Sequence, residues 1–177
     1  MKKVETTQAD ADLHKKELCA YIDNTEFSDE IKKAVKGMLG VVLPSGDNDM
    51  SLDLADFEVI VNHGGVAFSG IGEFDGKNSA AEAIRRSIEN SSLEYNLINK
   101  MSGILIHFTI HPDFSIEDIA EAMEIIHENA HDESDIMWGT TTDKSVSKSY
   151  VKASILFTGF EKNGNKYIVA NNIDYGK

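Results

Sequence analysis

The chain has 177 residues, 41% apolar and 27% charged, enough for one domain with a real core and too few for two full ones. Acidic residues outnumber basic ones 30 to 17, and the resulting formal charge of −13 repels phosphate backbones, so nucleic acid is excluded as a partner class. A single cysteine, Cys19, leaves no internal bridge, the first residues lack the apolar core of a secretory signal, and no apolar run approaches bilayer-spanning length; the expectation is a cytoplasmic protein without membrane insertion.

Gln8 to Asp23 carries a helix-compatible pattern around Leu13, Lys16, Glu17, Ala20 and Tyr21, with Leu18, Cys19 and Ile22 adding apolar surface. Ser28 places a capping hydroxyl before a second helix, in which Ile31, Ala34, Val35 and Met38 share a face, and Gly40 to Pro44 stops it. An acidic loop, Ser45 to Asp49, leads to a short helix with Leu54, Phe57, Ile60 and Val61 turned inward, closed by His63-Gly64-Gly65. Val66 to Phe74 is extended. Asp75-Gly76 is turn chemistry, and Asn78 or Ser79 caps a helix running to about Asn90.

Ser102 to Ile110 is a dense β-branched run and therefore a central strand. Ser115-Ile116-Glu117-Asp118 is a capping signature for a helix whose expected apolar face is Ile116, Ile119, Ala120, Met123, Ile126, His127 and Ala130. Ile136 to Thr142 and Tyr150 to Phe160 are further strands, and Lys162 to Asn165 is a hairpin turn before Lys166 to Ala170. The order is β-α-β-α-β-β behind leading helices, an α+β fold with a mixed four-stranded sheet.

Several strings recur in a telling order: Ser51-Leu52-Asp53-Leu54-Ala55-Asp56, Gly70-Ile71-Gly72, Asn78 to Ile84, Ser102 to Ile106, Trp138-Gly139-Thr140-Thr141 and Thr158-Gly159-Phe160. From Lys33 to about Phe160 they resemble the C-terminal half of the bacterial tubulin-like division family FtsZ. The resemblance divides the chain into residues 1–50, holding a remnant of the family's central helix and the loop after it, and residues 51–177, the C-terminal-like domain with a short hairpin or tail.

The family's glycine-rich GTP loop has no counterpart. Gly64 to Gly72 is the nearest stretch, but bulky residues stand where backbone must approach phosphate, so its glycines are read as serving turns and close packing. The resemblance therefore implies no cofactor of the chain's own, GTP only where a partner subunit supplies it, and no enzyme activity in isolation. It also implies that Asp53 and Asp56 act in trans, orienting the attacking water at a neighbour's nucleotide, although Ser51 stands where the family has Asn. Expected partners are an FtsZ-type protein or a second copy of the chain. A subunit with an acidic loop and no pocket would cap a filament. The Ile31 to Met38 stripe needs cover, either from the first helix or from a homodimer.

His127-Glu128-Asn129-Ala130-His131 fits the His-Glu-x-x-His pattern of a zinc peptidase, the rival reading, although the second His falls at the helix end and no third ligand is evident. A small-ligand-binding regulatory domain is the other alternative. Asp47, Asp49 and Ser51 have calcium-loop spacing but Leu52 occupies the position that needs glycine, and Ser145 to Lys148 reads as a solvated loop. His107 and His111 are too far apart along an extended strand to share an ion.

Overall fold

The run around Ile104 to Phe108 has no polar face to give to water, so it must be covered on both sides. In the computed structural model, which describes residues 8–42, 52, 54–160, 168–169 and 173–174, this run is the second of four strands: β1 (Val66–Asp75), β2 (Gly103–Ile110), β3 (Asp135–Thr142) and β4 (Tyr150–Phe160). Their spatial order is β1-β4-β2-β3. β4 is antiparallel to both its neighbours, and β2 and β3 run parallel in the register Gly103↔Asp135 to Ile110↔Thr142. Seven of the eight β2 residues are buried, as a strand covered on both faces requires.

Helices take up the two faces. α4 (Ser79–Asn90) and α5 (Ile116–His127) lie on one, where Ile84, Ile88, Ile119, Met123 and Ile126 meet Ile104, Ile106, Phe108 and Phe157. α1 (Gln8–Asp23), α2 (Asp29–Val42) and α3 (Leu54–Asn62) form a second core on the other, where Ile22, Val35, Leu39, Phe57 and Ile60 meet Leu105 and Leu156. The period-two alternation of a strand puts Leu105 and Ile106 in different cores. A short 3-10 helix, Tyr95–Lys100, and a two-stranded ribbon of β5 (Ile168–Val169) with β6 (Ile173–Asp174) complete the elements. The expected hairpin turn at Lys162 to Asn165 lies outside the described residues.

Two expected helix faces are corrected. On α5, Ile116, Ala120 and His127 are exposed, and the inward face is Ile119, Ala122, Met123 and Ile126. His127 is the last helical residue, and the contact surface has rotated away from it. On α1, Leu13 and Tyr21 point to solvent, while Leu18 and Ile22, one turn apart, face the core. That pair covers Val35, Met38 and Leu39 of α2, so the stripe that needed a partner has an intramolecular one. Lys36 adds an ion pair to Asp23, and Lys32 Nζ donates to the Asp23 carbonyl at 3.0 Å, both exposed and worth little beside the apolar contact.

Candidate functional site

The acidic helix start predicted to carry the chemistry belongs to α3. Asp53 lies outside the described residues. Asp56 is in the first turn of α3, half-buried, where the unsatisfied N–H groups of a helix start favour a carboxylate. What holds α3 is its other end. Phe57, Ile60 and Val61 are fully buried, and Thr158 Oγ1 of β4 donates to the Ile60 carbonyl at 2.6 Å. His63 Nε2 lies 2.8 Å from Asp135 Oδ2 at the start of β3, and the Gly159 N–H donates to the Gly64 carbonyl at 2.8 Å.

The chain can turn so sharply here because Gly64 and Gly65 both adopt left-handed backbone, with φ of 61° and 67°. A Cβ on Gly65 would come within 2.6 Å of the Phe160 carbonyl oxygen, and one on Gly103 within 2.5 Å of Thr158 Oγ1. The glycines therefore let α3 dock against the ends of β2 and β4. Asp56 is thus presented from a rigid element whose last turn is bonded to the sheet, the arrangement that positions a functional group best. The sequence pointed to the carboxylate but not to Thr158, His63 and Asp135, whose association spans dozens of residues and carries no local signal.

The zinc-peptidase arrangement is not formed. α5 ends at His127, Glu128 is its C-cap, and His131 lies beyond the helix, with Nδ1 accepting from the Glu133 N–H at 3.1 Å. The two imidazoles do not share a helical face. Among the described residues no three His, Cys, Asp or Glu side chains are grouped to hold an ion. His107 is buried on β2, with Nε2 2.9 Å from Thr141 Oγ1. Trp138 packs edge-on against Phe108, centroids 6.2 Å apart. In the loop before β4, Ser145 bonds Asp143, while Ser147 and Ser149 donate to Asp75, whose carboxyl they hold below its ordinary range. The calcium-like spacing at Asp47 to Ser51 lies outside the described residues.

A mixed sheet in the order β1-β4-β2-β3, with two helices on one face and the acidic α3 on the other, defines the C-terminal domain of the tubulin-like class. Tubulin-like TubZ from Bacillus thuringiensis shares this fold in a GDP-form protofilament structure, with TM-score 0.54 at 10% identity over 74% of this chain and 35% of that one. An FtsZ point mutant from M. jannaschii superposes with TM-score 0.60 at 27% identity, over 75% of this chain and 39% of that one.

The chain belongs to the FtsZ family: residues 65–161 match its C-terminal domain. Cell division protein FtsZ 2 from Pyrococcus furiosus is 35% identical over 82% of the chain and 34% of that protein, and its counterpart from Thermococcus kodakarensis is 39% identical over 75% and 32%. The chain thus spans about a third of the length of these relatives. Only the C-terminal domain is matched. No helix among the described residues is long and apolar enough to cross a membrane.

Proposed function

We propose that this chain is the assembly domain of a division-type filament and acts by offering the first turn of α3 to a nucleotide held by an adjacent subunit. The observation that carries the reading is Asp56 in the first turn of a helix whose last turn is bonded to the sheet, within a chain that matches the FtsZ C-terminal domain. Phosphoryl transfer to water asks little of a protein beyond position and charge, and a carboxylate can orient the attacking water through a hydrogen bond. Asp56, with Asp53, takes that role in trans. A subunit that offers this acidic turn without a nucleotide pocket of its own would add at one filament end and block the next addition.

The test is to add the chain to full-length FtsZ with GTP, then follow polymer mass by sedimentation and phosphate release by colour assay. Substoichiometric chain is expected to shorten polymers, and D56A to lose its effect on phosphate release while keeping the wild-type melting curve. Polymer mass and phosphate release both indifferent to added chain would remove the proposal and leave the family assignment as it stands.

A further inference from the structure

In a continuing helix the Ile60 carbonyl of α3 would accept from the Gly64 N–H. That N–H turns back instead to the Val61 carbonyl at 3.0 Å, where the chain leaves the helix through the left-handed backbone of Gly64 and Gly65. Ile60 is fully buried, so its carbonyl needs a donor from another element, and the Thr158 hydroxyl is that donor.

Thr158 is itself held firmly. It is fully buried, its carbonyl accepts from the Ser102 N–H at 3.0 Å, and it lies opposite Gly103 in the ladder between β2 and β4. The junction closes only because residue 103 carries no side chain: a Cβ there would crowd Thr158 Oγ1, and would lie 2.8 Å from His63 Cδ2 and 3.3 Å from the Ile60 carbonyl oxygen. His63, the residue after α3, adds a second tie, donating from Nε2 to Asp135 Oδ2. The Asp135 N–H is in turn bonded to the Ser102 carbonyl at 2.9 Å. Two side-chain hydrogen bonds to two different strands therefore meet the end of α3, and Ile60 is about one helical turn from Asp56.

The apolar contacts of Phe57, Ile60 and Val61 keep α3 on the sheet, but apolar attraction has no direction. Hydrogen bonds do, and these two fix how far the helix is rotated and slid along the sheet. We propose that Thr158 and, through His63, Asp135 are positioning residues that set where the Asp56 carboxylate stands against a neighbour's nucleotide, a role that rests on Asp56 orienting the attacking water there. Without the Thr158 hydroxyl, the Ile60 carbonyl recaptures the Gly64 N–H and the helix re-seats. A displacement of about 1 Å is enough to cost most of an oriented reaction.

The experiment combines the whole chain with full-length FtsZ and GTP, and compares the chain concentration that shortens polymers with the phosphate released per added chain. T158V keeps the branched shape and removes the hydroxyl. It is expected to shorten polymers at about the wild-type concentration while lowering phosphate release about tenfold. T158S, which returns the hydroxyl, should restore release to within about twofold of wild type. D135A alters an exposed side chain and keeps the core, so it serves even where T158V does not fold; about threefold less release is expected at an unchanged melting temperature. Wild-type release from T158V or from D135A, or release from T158S as low as from T158V, would overturn the positioning role. D56A separates the two readings: if it loses release while T158V and D135A keep it, only the positioning role falls, and if D56A keeps release, the action in trans falls as well.

Discussion

Gly70 and Gly72 mark the place where α4 rests backbone to backbone on β1. A Cβ on Gly70 would lie 2.0 Å from the Ser87 carbonyl oxygen and one on Gly72 2.2 Å from that of Ala83, and neither oxygen can move without unwinding the helix. G70A is therefore expected to cost about 3 kcal/mol or more in urea unfolding, with an unchanged midpoint refuting the packing. The sequence reading assigned these glycines to close packing and turns rather than to phosphate, and the contacts explain why. A different residue governs behaviour at high pH. Burial, together with a hydrogen bond to Glu73, pushes the Tyr150 hydroxyl up from 10.0 to about 12. Because the folded value lies above the unfolded one, the stability it confers is complete below pH 10 and is lost as pH climbs through 10 to 12. An ultraviolet titration should show a late phenolate inflection that Y150F abolishes and E73Q moves downward.

At the level of elements, the two helices on the outer face test how caps and faces were set. Ser115 caps α5 as its sequence context implied, and S115A should lower stability by about 1 kcal/mol by chemical denaturation. The helix and strand order was legible because the apolar runs are long and the stop signals strong, as at Gly64-Gly65 and Asp75-Gly76. The inward face of α5 was only partly legible. Ile116 and His127 fit helical spacing with Ile119, Met123 and Ile126, but the sheet contact selects a narrower strip, and periodicity alone cannot say where its margins fall. The acidic start of α3 was visible as a local string, whereas its anchorage through Thr158 and His63 depends on strands far off in sequence. The left-handed backbone at Asn78 was only faintly legible, since asparagine tolerates that conformation but serves equally as an ordinary helix cap. β1 shows a further device without local signature: Arg86 and Asn90 of α4 donate to the Glu73 and Ile71 carbonyls, and these side chains occupy acceptors on its outer edge.

For the molecule as a whole, the second core decides whether the sheet's other face stays covered. Ile22 is fully buried between α1 and the apolar strip of α2, so I22D would place an unpaired carboxylate there and detach α1. Sedimentation at rising concentration should then report self-association through Val35, Met38 and Leu39; an I22D chain that stays monomeric at unchanged stability would contradict the role given to α1. The homodimer expected from the sequence is tied to that same strip, since a second copy and α1 compete for it.

The position of β4 between β1 and β2 also bears on how the protein comes into being. β1 has its hydrogen-bonding neighbour in the stretch Tyr150 to Phe160, with Val66 opposite Phe160, so its ladder cannot close until that late stretch has been synthesised. Such distant pairings carry a large loop-closure penalty and slow the search for the native state. A nascent chain released or stalled before Tyr150 would hold β1 and β2 without the strand that joins them, and it would be vulnerable to aggregation and chaperone capture until β4 arrives.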